Sequence, residues 1–254
     1  MTRDMRELDH GELRAIIADQ PYPLLFATVS GAHLYGFPSR DSDVDLRGVH
    51  VLPVEEVVGL TTGPDTLDRT WFQNEAEVDL VTHDLAKFVR LMLRRNGYVL
   101  EQVLSPLVVT STPEHEELVA LAPGCLTTWH AHHYRGFGKT QWDFFGKKQE
   151  LKPLLYTFRV LLTGIHLMRT GEVQADLREL LALPEAPAYL PELMAAKAEA
   201  EHGPLVGPDT ERLAKDVAAL QDALDQAEAA SNLPDRPSAD AAMNDLLVRA
   251  RLSR

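Results

Sequence analysis

The chain has 254 residues, 45% of them hydrophobic and 25% charged, with one cysteine and a formal net charge of −13. That length buries a full core as one large domain or two modest ones, and the acidity excludes a protein that coats duplex DNA or an anionic membrane, since both need net or clustered positive charge. Cys125 alone builds neither a disulfide framework nor a thiolate metal cluster, no run approaches the roughly 18 apolar residues of a membrane span, and the polar start Met1-Thr2-Arg3-Asp4 lacks a secretory pattern, so the expected compartment is the cytoplasm.

In chain order, Leu8, Leu13, Ile16 and Ile17 recur at helical spacing and predict an amphipathic helix within residues 6–19. Leu24 to Val29 is apolar and partly β-branched, and Leu46 to Leu52 reads the same way, so a strand, a glycine turn with a short helix and a second strand are expected. Thr61 to Asp65 is a loop, followed by strands at Leu67 to Trp71 and Glu77 to Thr82. Asp84 is a helix N-cap, Leu85, Phe88, Val89 and Met92 form one apolar stripe, and Asn96-Gly97 reads as the stop. From Thr112-Pro113 onward the pattern is helical almost throughout, with buried stripes at Leu154, Phe158, Leu161, Ile165, Met168 and at Leu213, Val217, Leu220, Leu224; Leu246, Leu247 and Ala250 close the chain. The segment from Ala182 to Gly207 is the expected mobile connection, with helical turns as the alternative. The expected fold is therefore α/β, a small mixed sheet with flanking helices over residues 1–110, followed by an all-α domain over residues 111–254.

The stretch from Ser30 to Gly48 carries the chemistry. Residues two apart on a strand share a face, so Asp43 and Asp45 point to one site while Val44 and Leu46 enter packing. Two carboxylates that close repel unless a cation sits between them, and an oxygen-seeking divalent ion such as Mg2+ supplies it. An EF-hand reading of Asp41-x-Asp43-x-Asp45 fails, because position six is Leu46 and position twelve is Leu52. Gly31 and Gly36 are either a phosphate cradle or ordinary turn residues, and Arg40 and Arg47 beside three aspartates read as structural ion pairs, with a phosphate contact as the alternative.

The pattern Gly31-Ala32, ten residues, then Asp43-x-Asp45 resembles the signature of polymerase-beta-like nucleotidyltransferases. The longer string Gly31-x-His33-x-Tyr35-Gly36 … Asp41-Ser42-Asp43-Val44-Asp45-Leu46-Arg47-Gly48 is similar to the branch associated with bacterial RNA repair, an RNA-ligase-associated polymerase family. Matches continue at Glu77 to Asp84, Asn96-Gly97 with Glu101, Tyr134-Arg135-Gly136, Lys152 to Arg159 and Asn244 to Arg249. The family's serine after glycine is Ala32 here, which removes a hydroxyl; backbone amides remain to bind an anion.

The resemblance implies transfer of a nucleoside monophosphate from a nucleoside triphosphate to an acceptor hydroxyl, an RNA 3′ end in RNA repair, with an RNA ligase as a possible companion. It implies a two-ion Mg2+ or Mn2+ site on Asp43, Asp45 and Asp79, with Asp79 also accepting the proton of the acceptor; Glu77 shares that strand face and competes for the third place. Gly31 and Ala32 would hold phosphate from one side. Lys152, Tyr156 and Arg159 share a helical face and would hold it from the helical domain, which closes over the nucleotide; a solvated face is the alternative. Between Arg135 and Arg169 there are seven Lys or Arg and two acids, and the interleaved Trp129, Tyr134, Trp142, Phe144 and Phe145 are either core or a single-strand surface. Of His130, His132 and His133 only His130 and His133 face together on a helix and no third zinc ligand is at hand, so a structural or surface role is expected, and His83 either orients Asp79 or serves capping or packing. Two other functions stay open: a protein-modifying (AMPylation-type) nucleotidyltransferase, and a non-catalytic RNA- or partner-binding module with a degenerate site.

Overall fold

Apolar alternation and helical stripes resolve into five strands and twelve α-helices in a computed structural model that describes residues 10–73, 76–199 and 209–253. The order is α1 (His10–Ala18), β1 (Leu24–Val29), α2 (Gly31–Leu34), β2 (Val44–His50), α3 (Glu55–Val58), β3 (Thr66–Gln73), β4 (Ala76–Asp84), α4 (Leu85–Leu93), α5 (Gly97–Val103), β5 (Val108–Ser111) and α6 (Pro113–Leu121). Then come a 3-10 turn (Ala122–Cys125), α7 (His130–Lys148), α8 (Leu151–Thr170), α9 (Leu177–Leu180), α10 (Leu190–Ala198), α11 (Thr210–Ala229) and α12 (Asp240–Leu252). Leu8 and residues 200–207 of the expected connection lie outside the described residues.

The strands form one mixed sheet in the order β3-β4-β2-β1-β5, with β2 and β4 parallel and the other neighbours antiparallel. Val29, Val44, Leu46, Val78 and Leu80 bury one face together with Leu13 and Ile17 of α1. On the other, Phe26 meets Phe88 of α4 edge-on with centroids 5.6 Å apart. The alternation that buries Val44 and Leu46 turns Asp45 and Arg47 the opposite way, onto the face where the Tyr98 hydroxyl of α5 accepts from Arg47 Nε.

Two elements depart from expectation. Asn96-Gly97 does not merely end α4: the Asn96 side chain accepts the amide of Tyr98 at 3.0 Å and so caps the start of α5. β5, a four-residue strand, was absent from the sequence reading and owes its conformation to pairing with β1.

The chain divides into two compact units, one of residues Tyr35–Ser42 with Thr127–Asp235, the other of the described parts of Asp4–Leu34, Asp43–Leu126 and Arg236–Arg254. Where the sequence suggested one boundary near residue 110, the described chain passes between the units four times. In the first unit Tyr35 accepts the amide of Leu177 at 2.9 Å, and the buried Lys197 of α10 donates to the hydroxyls of Ser39 at 3.1 Å and Ser42 at 3.2 Å. In the second, Arg251 of α12 binds Asp84 at 2.7 Å and the carbonyl of Leu52 at 2.8 Å. No helix among the described residues is long and apolar enough to cross a membrane.

Candidate active site

The parallel register of β2 and β4 sets Asp45 directly beside Asp79. Two like charges so placed need a counter-charge, and Arg47, two residues along the same face, provides it: one guanidinium nitrogen lies 2.7 Å from Asp45 Oδ1 and 3.0 Å from Asp79 Oδ2. The remaining guanidinium donors reach the carbonyls of Leu46 at 2.8 Å and Asp79 at 2.9 Å and the Tyr98 hydroxyl at 3.1 Å. Burial by itself would lower the Arg47 pKa, but Tyr98, Asp45 and Asp79 outweigh it and the net direction is upward. The structural ion-pair reading of Arg47 thus describes its contacts, and the cation between these two carboxylates is a guanidinium. Thr70 adds a hydrogen bond to Asp79 Oδ1 at 3.2 Å.

Gly31 closes the other side of Asp45. Its φ of +61° belongs to the left-handed region, and a Cβ there would stand 1.8 Å from Asp45 Oδ2 and 2.7 Å from its Cγ. Only a residue without a side chain admits this approach. Ser30 donates its amide to the Asp45 carbonyl at 2.8 Å, and its buried hydroxyl has no hydrogen-bond partner among the described residues. The sequence reading passed over Ser30, although a hydroxyl beside the glycine is the signal that would have raised it. Ala32 is buried in α2.

Asp43 immediately precedes β2. The β2–β4 ladder begins at Val44 paired with Val78, so strand alternation does not fix Asp43, which is half-buried just ahead of it. Among the described residues no three His, Cys, Asp or Glu side chains converge as a metal cluster. The structure brings together Asp45, Asp79 and Gly31, with Asp43 one residue ahead of the ladder and Glu77 opposite Phe72 of β3. The donor chemistry nevertheless fits a hard divalent ion: carboxylate oxygens only, with Asp45 Oδ2 turned to a glycine backbone rather than to Arg47. His83 bonds Thr66 at 3.2 Å instead of Asp79.

In the first unit, the expected trio on α8 differs in burial. Lys152 and Tyr156 are half-buried and line a cleft of about 330 Å3 between α7 and α8. Arg159 is wholly buried, its guanidinium carbon 3.8 Å from the Tyr35 ring centroid. Its cation stacks on the Tyr35 ring, with the Tyr156 ring centroid 6.0 Å away. Of the interleaved aromatics, Tyr134 and Phe145 are core, whereas Trp129 and Phe144 are 47% and 44% exposed. His130 bonds Thr127, and His133 packs edge-on against Tyr134. Cys125 is buried, which pushes its thiol up to about 11.

Residues 5–249 match the model of the RNA repair pathway DNA polymerase beta family, RlaP. The chain is 32% identical over 154 residues to the uncharacterized protein MJ0002 of Methanocaldococcus jannaschii, covering 60% of this chain and 63% of that protein. It is 24% identical over 203 residues to the uncharacterized protein YcgL of Bacillus subtilis, covering 75% of each. The crystal structure of a nucleotidyltransferase-like protein from Exiguobacterium sibiricum aligns with 99% of this chain and 80% of its own at a TM-score of 0.32 and 12% identity. With the family model spanning nearly its whole length, the chain belongs to the RNA repair pathway DNA polymerase beta family, within the polymerase-beta-like nucleotidyltransferases.

Proposed function

We propose that this protein transfers a nucleoside monophosphate from a nucleoside triphosphate to the 3′ hydroxyl of RNA, using Mg2+ or Mn2+. The observation that carries the reading is the in-register placement of Asp45 beside Asp79 with Gly31 packed against the Asp45 carboxylate. A divalent ion on Asp43, Asp45 and Asp79 would supply Lewis acidity to the reacting phosphate and lower the pKa of the attacking hydroxyl. Asp79, across β4, accepts the proton of that hydroxyl. The amides of Gly31 and Ala32, with the Ser30 hydroxyl, hold phosphate oxygens through hydrogen bonds that need no side chain at position 32. Arg47 bridges and orients the two carboxylates, and it stands ready to share their charge with a cation.

The test is incubation with each of the four labelled nucleoside triphosphates, single-stranded RNA and Mg2+ or Mn2+. Label is expected on RNA and lost in Asp45→Asn. Label on protein instead would favour a protein-modifying enzyme. Undiminished transfer by both Asp45→Asn and Asp79→Asn would overturn the assignment.

A further inference from the structure

We propose that the cleft between α7 and α8 binds one nucleotide of single-stranded RNA, the acceptor strand of the reaction proposed above, on which this inference rests. Gln141, Phe144 and Lys148 lie at i, i+3 and i+7 on α7 and face Lys152 and Tyr156, at i and i+4 on α8, with Glu150 in the turn between. About 330 Å3 is the small end of ligand pockets, a volume for one base and sugar and too narrow for a duplex.

The lining is chemically specific. Phe144 presents an aromatic surface to solvent at 44% exposure, and the Tyr156 ring is fixed edge-on against Tyr35 and Phe37, with centroids 5.3 and 5.6 Å apart. Rigid rings at a surface stack on any base. The Gln141 amide both donates and accepts, as a base edge requires.

Charge selects the ligand. The arginines of this region are engaged: Arg135 with Asp225 and Glu228, each at 2.6 Å, Arg169 with Glu185 at 2.5 Å, and Arg159 in the core over Tyr35. Lys139, Lys147 and Lys148 are exposed on α7 and make no ion pair among the described residues, in a chain whose net charge is −13. Within the cleft, Lys148 and Lys152 against Glu150 leave a formal charge of +1, matched to one phosphodiester and too weak for a triphosphate, which the Glu150 carboxylate repels. Lysines, compact point charges on flexible stems, suit a backbone phosphate that no rigid fork needs to grip. Lys152 and Tyr156, which the sequence placed on the triphosphate, are thereby reassigned to the acceptor strand.

Binding of a fluorescent single-stranded RNA oligomer, measured by anisotropy without any nucleoside triphosphate, tests this. Phe144→Ala is expected to weaken binding on the order of tenfold, and Phe144→Tyr to restore it. Lys148→Ala is expected to lower the slope of log affinity against log salt by about 0.7, the share of one single-strand phosphate contact. Both positions are exposed, and an unchanged melting temperature verifies folding. Nucleoside triphosphate affinity, measured separately, is expected to stay unchanged. RNA affinity that ignores both substitutions overturns the inference, as does a loss of triphosphate affinity in its place or a wild-type chain that binds no RNA. The transfer assay decides the reaction independently, because it reads which molecule becomes labelled rather than how RNA is bound.

Discussion

Gly31→Ala probes the proposed centre with a single methyl group. The left-handed φ of +61° costs an L-residue about 1–2 kcal/mol. The new Cβ would also stand 1.8 Å from Asp45 Oδ2, 2.7 Å from Cγ and 3.1 Å from Cβ. Turning the carboxylate relieves only the first contact, and Oδ1 is tied to Arg47 at 2.7 Å. Strand β2 must therefore shift, or Asp45 must leave Arg47, by about 1 Å or more. Displacement of that size in a reacting constellation lowers rate on the order of a hundredfold. Gly171→Ala is the control: its φ is +74°, but a Cβ there meets nothing nearer than Leu233 at 3.6 Å. For a chain of this size 1 kcal/mol lowers the melting temperature by about 2–4 °C, so Gly171→Ala should melt a few degrees early with wild-type transfer. Gly31→Ala should lose at least twice that stability and nearly all transfer. Equal melting losses with equal activity would refute the packing argument.

Three further outcomes follow from the same geometry. Arg47→Met removes the cation between two carboxylates that are each 27% exposed, which should cost about 2 kcal/mol, less than the loss of a fully buried partner; urea denaturation should show part of that restored by millimolar Mg2+, which binds the folded pair alone, and indifference to Mg2+ would count against Asp45 and Asp79 as cation ligands. Burial, helped by Lys87, pushes His83 down to about 4, and burial, helped by His130 and Arg159, does the same to His133. Because the unfolded chain then takes up protons first, stability present above pH 6.5 is lost as pH falls toward 4; melting curves should drop between pH 7 and 5, less steeply in His83→Gln, and a flat profile would refute the assignment. Arg251→Met strips the cation from Asp84, whose side chain is 5% exposed, leaving the amides of Ala86 and Leu52 as its partners among the described residues. A loss of about 3 kcal/mol in chemical denaturation is expected, and a loss under 1 kcal/mol would show that the two amides suffice.

What the sequence disclosed was whatever a few neighbouring residues determine. β1 runs from Leu24 to Val29 as its composition indicated, Asp84 caps α4 through the amide of Ala86, and Leu154, Phe158, Leu161, Ile165 and Met168 are all buried on α8. Period and capping are local signals, so they survive without knowledge of partners. Asn96 shows the limit: a residue that ends one helix and caps the next carries the same letters in both roles. Val108 to Ser111 is too short to declare itself and becomes a strand only because Phe26 to Thr28 lie beside it.

The site was legible in the same measure. Alternation correctly separated Asp45 from Val44 and Leu46, but the choice between Glu77 and Asp79 as its neighbour belongs to the register of two parallel strands, and no local pattern encodes a register. Arg159 and Lys197 show what helical spacing leaves out. Helical spacing set Arg159 on a polar face with Lys152 and Tyr156, yet the ring it stacks on, Tyr35, is remote in sequence, and Lys197 reaches Ser39 and Ser42 across a similar span. A charged side chain is read as exposed until its distant partner is known, because burial of charge is affordable only with that partner in place. The strand-turn-strand segment from Leu24 to His50 therefore did more than present acidic residues: by placing Tyr35, Ser39 and Ser42 in the other unit, it supplied the groups against which two cations leave solvent.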